Sequence, residues 1–312
     1  MSTHGGSRAV LAALGANIGI AVIKFIAFLL TGSSSMLAES VHSLADSGNQ
    51  GLLLIGGRRS RRQATAEHPF GFGRDRYVYG FLVALVLFTV GGLFALYEGI
   101  HKITDPHHVD SPAIAIGVLV VAIILESLSF RTAIAESRGL KGEASWPQFI
   151  RRAKVPELPV VLLEDFAALV GLAFALVGVG LATLLDQPVW DGIGTVAIGV
   201  LLIAVAVILI IETKSLLLGE AASPGAVARI ESALVADPDG GITGVIHSRT
   251  MHLGPDEVLV AAKVSMSADC TLAQVAGAID AAEARVRAAE PAARVIYLEP
   301  DLYRPELDGG AP

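Results

Sequence analysis

The sequence has a single cysteine, Cys270, which excludes an intramolecular disulfide and leaves no cysteine cluster to hold a metal. Charge is also scarce. Asp, Glu, Lys and Arg make up 17% of the 312 residues, against roughly 25% in soluble domains. There is no basic excess: the net charge is −7, whereas nucleic-acid binding calls for a basic face. The His-Glu-x-x-His signature of zinc hydrolases is absent and no Ser/His pairing stands out, so nothing here points to an enzyme. No internal repeat or low-complexity linker interrupts the chain. A cleavable signal peptide is not expected, because the first apolar run starts near Arg8 and is too long for a signal core.

What the chain has in plenty is apolar length. Hydrophobic residues make up 53% of it and the mean hydropathy is +0.62. Six apolar stretches, near 8–31, 35–57, 78–100, 112–133, 158–184 and 190–218, each approach the length that spans a bilayer. Basic residues sort between their connections. The connection after the second stretch holds Arg58, Arg59, Arg61, Arg62, Arg74 and Arg76, and the one after the fourth holds Arg131, Arg138, Lys141, Arg151, Arg152 and Lys154. The other three carry one clear basic residue, Lys102. By the positive-inside rule both termini are expected in the cytoplasm, with the cell membrane as the expected location.

From about residue 219 the pattern changes to that of a soluble domain. A Ser-Pro start introduces "GAVARIESAL" with helical spacing, "GVIHSRTMHL" and "EVLVAAKVSM" read as strands around a Gly-Pro-Asp turn, and a second helix precedes the strand "ARVIYLEP". The expected architecture is therefore an α-helical membrane domain of six transmembrane helices (1–218), followed by a cytoplasmic α+β domain of αββαβ order, ferredoxin-like (219–312). Such a small tail is marginal alone, and pairing into a homodimer is expected.

Chemistry is concentrated in the second stretch, at "ESVHSLADSGNQ". His42 and Asp46 are four apart and share a helix face, Asn49 is three further on, Glu39 three before, and Gln50 lies beside them. Unpartnered polar groups in hydrocarbon cost several kcal/mol each, and intramembrane ionisable groups usually mark a pathway. An imidazole and carboxylates one turn apart are a common way to hold a divalent transition metal; tetrahedral Zn²⁺ takes about four such ligands. The fifth stretch brings a second acidic pair, Glu164 and Asp165. Being adjacent, they lie about 100° apart around a helix, so one is expected to ligate while the other orients it or faces a cytoplasmic cavity.

These residues, with "NIGIAVIKFIAFLLTGSSSMLAESVHSLADSGNQ", "HPFGFGRDRY" and "LLLGEAA", resemble the cation diffusion facilitators over nearly the whole chain. The resemblance implies export of divalent metals, most often zinc, in exchange for protons. It also implies a metal site of an acid or histidine, three residues, then aspartate on the second helix, with His-x-x-x-Asp on the fifth. His42 and Asp46 match the first half. In the second half the histidine position is Val160 if Glu164 is the matching acid, and Val161 if Asp165 is. The Glu-Asp version resembles a separate branch that includes mitochondrial zinc transporters in animals. With one imidazole and several oxygens the donor set is harder, which brings Mn²⁺, Fe²⁺ and Co²⁺ into consideration. Asn49 is read as supplying a replacement oxygen ligand.

Other candidates are weaker. His68 and Asp75 flank the arginine-rich connection, His101, His107 and His108 lie in the opposite one, and His247 and His252 fall on the first tail strand. Tyr297 stands where a tail histidine is common in the family. The expected partners are metal ion, protons, the bilayer and a second copy; no resident cofactor and no nucleic acid are expected. The competing class is a non-transporting membrane metal sensor.

Overall fold

The structure, a computed structural model, describes residues 4–31, 34–106, 111–237 and 241–304. The chain divides into two compact units, residues up to Arg59 with Asp75–Lys214, and Ser60–Arg74 with the residues from Ser215 onward.

The first unit is helical. Its elements are α1 (His4–Thr31), α2 (Ser34–Arg59), α3 (Asp75–Val86) running through a π-helical stretch Leu87–Leu93 into α4 (Phe94–Thr104), α5 (Pro112–Lys141), the short α6 (Trp146–Arg152), α7 (Glu157–Leu184) and α8 (Val189–Leu218). Among the described residues, four rods are long and apolar enough to cross a membrane: Asp75–Thr104, Pro112–Lys141, Glu157–Leu184 and Val189–Leu218. In α1 the described apolar segment is Asn17–Ile26, and α2 carries the polar stripe. Helices α1 and α2 have 28 and 26 residues, so both reach about 40 Å at 1.5 Å per residue.

Two apolar clusters hold the helices together. Leu53, Val83, Leu87, Val160, Val161, Leu202 and Leu209 pack in one, and Ile20, Leu119, Ala122, Leu172 and Val179 in the other. The α4–α8 contact is made at backbone distance. A Cβ on Gly99 would lie 2.6 Å from the Val196 nitrogen, and one on Gly199 would lie 2.7 Å from the Leu96 nitrogen. Small residues that let helix backbones touch are the usual glue of membrane bundles. Several helices run beyond the expected stretches. Arg76 falls in α3 and Arg131 and Arg138 in α5, and the expected connection before α7 contains α6, opened by a Ser145–Gln148 capping box.

The second unit contains α9 (Pro224–Leu234), β1 (Ile242–Gly254), β2 (Glu257–Met266), α10 (Leu272–Ala289) and β3 (Ala293–Asp301), the αββαβ order read from the sequence. The sheet order is β1-β2-β3, with β1/β2 antiparallel and β2/β3 parallel. Val258, Val260, Ala262 and Val264 alternate into a core with Ile230, Leu234, Ala282 and Val286 from the two helices. Ser223 and Thr271 cap α9 and α10, their hydroxyls accepting from the Ala226 and Gln274 N–H groups.

Residues 60–74 pack in this unit, against the end of β1. A Cβ on Gly73 would sit 2.7 Å from the Leu253 carbonyl oxygen, so only glycine fits there. Arg74 Nη2 lies 3.1 Å from Met251 Sδ. Neither contact was legible locally, because the partners are some 180 residues apart in sequence.

The β2–β3 edge carries an ion-paired acid. Lys263 Nζ is 2.7 Å from Asp301 Oδ2, and the Leu302 N–H donates to Asp301 Oδ1 at 2.7 Å. The hydrogen bond from Lys263, then that from Leu302, lowers the Asp301 carboxyl from 3.8 to about 2. Because its folded value is depressed, the stability it contributes is complete above about pH 4 and is lost as pH falls through about 2. Amide exchange in β2 and β3 of the full chain, corrected for intrinsic rates, is therefore expected to accelerate between those values. Lys263→Met should flatten that step; an unchanged step would exclude the pair as its source.

Candidate metal centre

The polar stripe of α2 is buried in the first unit. Ser40, Ser43, Asp46, Ser47, Asn49 and Gln50 are all buried, Asn49 and Gln50 at 1% and 0% exposure. Glu39 and His42 belong to α2, but their side chains lie outside the described residues. The expected site is thus described only in part.

Glu164 and Asp165, both buried on α7, diverge as adjacent helical residues should. Glu164 faces α2: Asn49 Nδ2 donates to its Oε1 and Gln50 Nε2 donates to its Oε2, each at 2.9 Å. Gln50 is held in turn by Asn17 of α1, whose Nδ2 donates to Gln50 Oε1 at 3.3 Å. Asp165 faces α5 instead, where Ser129 Oγ donates to its Oδ2 at 2.8 Å. One acid is therefore clamped by two amides, and the other accepts from a single hydroxyl.

The other oxygen of the clamp is the informative one. Asn49 Oδ1 is buried and has no hydrogen-bond partner among the described residues. A buried carbonyl oxygen without a donor carries a desolvation cost of about 1–3 kcal/mol, which a cation would relieve. This is the oxygen the sequence reading assigns to metal.

Asp46 lines a cavity of about 30 Å³ together with Lys24 of α1, Ser43, and Glu126 of α5. Lys24 Nζ donates to Ser43 Oγ at 3.1 Å. Glu126, 4% exposed, has Asp165, Asp46 and Lys24 as its charged neighbours. Sequence reasoning passed over Lys24 and Glu126, although the rule that flags intramembrane ionisable groups applies equally to "IAVIKFIAF" and "AIILESLSF". No group of three or more His, Cys, Asp or Glu among the described residues is close enough together to hold one ion. The described arrangement is an oxygen-rich, acidic core between α1, α2, α5 and α7, not an assembled cage.

The remaining candidates scatter. The two valines at the missing histidine positions, Val160 and Val161, are packed into an apolar cluster. His68 is exposed and its ring lies 4.6 Å from that of Phe72; Asp75 opens α3. His101 is exposed in the last turn of α4, and His107 and His108 lie outside the described residues. In the tail, His247 shares a surface hollow with Arg249, Lys263, Tyr297 and Glu299, where two cations are poor company for a metal. His252 does not join it: it is buried, with Nδ1 3.2 Å from the Gly254 carbonyl.

A cation efflux transmembrane domain model matches residues 10–218, from within α1 to the end of α8. The chain belongs to the cation diffusion facilitator family. It is therefore a multi-pass membrane protein of a transporter family, not of an enzyme family. It is 34% identical over 241 residues to the mitochondrial proton-coupled zinc antiporter SLC30A9 of Xenopus laevis, covering 76% of this chain and 43% of that protein. It is 33% identical over 221 residues to metal tolerance protein C4 of Arabidopsis thaliana, covering 69% and 47%. It is 24% identical over 240 residues to the magnetosome protein MamB of a Magnetospira strain, covering 77% and 76%. The chain thus spans less than half the length of the first two of these relatives.

Proposed function

We propose that this cation diffusion facilitator is a secondary transporter that exports divalent transition-metal ions, Zn²⁺ foremost, from the cytoplasm in exchange for protons. The observation that carries the reading is the buried constellation of Asp46, Asn49, Glu164 and Asp165 between apolar helices, with the Asn49 carbonyl oxygen left without a donor among the described residues. The relative named a proton-coupled zinc antiporter supports both the ion and the counter-ion.

In this reading the membrane domain has six spanning helices and ends near residue 218. The arginine-rich connections and both termini face the cytoplasm, the membrane is that of the cell, and residues 219–312 form a dimerisation module. His42, Asp46, Glu39, Asn49 and the Glu164–Asp165 pair form the site. Metal binds neutral imidazole and ionised carboxylates, so its entry releases protons. Rearrangement of the helices then opens the site outward, where protons return to the ligands and the metal leaves. The direction of net movement follows from the different metal and proton affinities of the two states. A second reading changes only the ion. With the fifth-helix histidine replaced by packed valines and an amide oxygen in its place, Mn²⁺, Fe²⁺ or Co²⁺ becomes a credible cargo.

The test is the full chain in sealed liposomes holding a pH dye, with each of the four metals added in turn. Metal-dependent proton movement, largest with Zn²⁺, is the expected outcome. A larger response to Mn²⁺, Fe²⁺ or Co²⁺ would select the second reading, and no response to any of them would overturn transport.

A further inference from the structure

A lysine at membrane depth calls for an explanation. Lys24 lies within the apolar segment of α1 and is 4% exposed. Its ammonium donates to the Ser43 hydroxyl, and it lines the same cavity of about 30 Å³ as Asp46 and Glu126. That volume is about the share of one water in the liquid, enough for a small cation or for the end of a lysine. An ammonium is tolerated there only opposite carboxylates, since the isolated charge is strongly penalised out of water. Lysine is also suited to move, being a compact charge on a flexible four-carbon stem.

We propose that Lys24 is a tethered cation that stands at the wall of the acidic cavity and balances its carboxylates until the transported metal displaces it, and that Glu126 is the carboxylate on α5 that it shares with Asp46. The proposal rests on the transport reading and deepens it. A lysine that balances the acids between transport cycles lets the cavity stay closed without metal. It also sets a threshold for the ion. A divalent cation brings two charges against the lysine's one and can displace it, whereas Na⁺ or K⁺ offers the same single charge and gains nothing. Lys24 is thus a specificity-determining residue, and Glu126 belongs to the path of the ion. Ser129, one turn beyond Glu126, ties α5 to Asp165 through its hydroxyl, so the cavity and the α7 acids move with one helix.

The experiment is equilibrium binding of Zn²⁺ alone to the detergent-purified full chain, beside the liposome assay. Lys24→Gln keeps a polar head near Ser43 and removes the charge. It is expected to tighten Zn²⁺ binding about tenfold or more, the direction set by removing one positive charge near the ion. Lys24→Arg, which keeps the charge, should bind within a few-fold of wild type, and Glu126→Gln should bind about tenfold more weakly. A purely structural lysine gives a different pattern: Gln and Arg variants both melt earlier and neither binds tighter. Lys24→Gln that folds with unchanged or weaker affinity overturns the proposal. If Lys24→Gln does not fold, the Glu126→Gln arm decides, and unchanged Zn²⁺ affinity there overturns it. Wild type that moves metal while these variants fail the test sinks the tethered cation alone. Wild type that moves none of Zn²⁺, Mn²⁺, Fe²⁺ and Co²⁺ sinks the transport reading with it.

Discussion

Replacing Glu157 by alanine is expected to be the most destabilising single change outside the metal centre. Arg76, in the first turn of α3, and Glu157, at the start of α7, meet as a two-pronged pair: Nε to Oε1 at 2.5 Å and Nη2 to Oε2 at 2.9 Å. Their side chains are 12% and 7% exposed. Forming such a pair gains little net energy, because both ions give up water. Breaking it from one side is costly, since the surviving charge stays buried, and the typical penalty is about 3–5 kcal/mol. At roughly 2–4 °C per kcal/mol for a domain of this size, the melting temperature should fall by about 10 °C. Pairing Arg76→Met with Glu157→Met should recover most of the loss. A single variant that melts within about 2 °C of wild type would show that the guanidinium finds water or another partner at little cost.

The second large effect separates the two acids of α7. Both oxygens of Glu164 accept amide N–H groups, from Asn49 and Gln50. Glu164→Gln turns one acceptor into a donor, so one amide would face another NH₂ in a buried place. About 1–3 kcal/mol of stability should go with it, together with transport. Asp165 accepts from Ser129, whose hydroxyl can reverse its role, so Asp165→Asn keeps that contact. We expect Asp165→Asn to fold as wild type and to lose at least tenfold in metal-dependent proton flux. The pair then splits into an acid that positions α2 and an acid that meets the ion. The reverse pattern, in which only Asp165→Asn melts early, would exchange the roles.

The four rods Asp75–Thr104, Pro112–Lys141, Glu157–Leu184 and Val189–Leu218 were legible because a membrane demands about twenty apolar residues per crossing, and the αββαβ tail because its strands alternate and its helices open on Ser-Pro and on a Thr-x-x-Gln capping box. The stripe on α2 and the acids on α7 stood out as polar groups where hydrocarbon was expected. Local pattern could not reach pairings between distant segments. Arg76 read as a topology signal, and its partner Glu157, 81 positions on, drew no reading at all. The connection at 60–74 read as a link between two helices, whereas its Gly73 lies against Leu253. The π-helical stretch Leu87–Leu93 has no dependable sequence mark, since it differs from the α-helix only in which carbonyl each N–H meets. Lys24 and Glu126 are a different case: both were visible, but each sat alone in its helix, and only the fold puts them on one cavity with Asp46.

The most direct test of a metal path through the buried stripe is Asp46→Asn in the liposome assay. The substitution preserves shape and one oxygen acceptor while removing the charge that lines the cavity. Wild type should move protons on addition of Zn²⁺, and Asp46→Asn, incorporated in equal amount and melting at the same temperature, should not. Proton movement of undiminished rate in the variant would contradict a path through Asp46 and leave the stripe as a device for packing or for sensing.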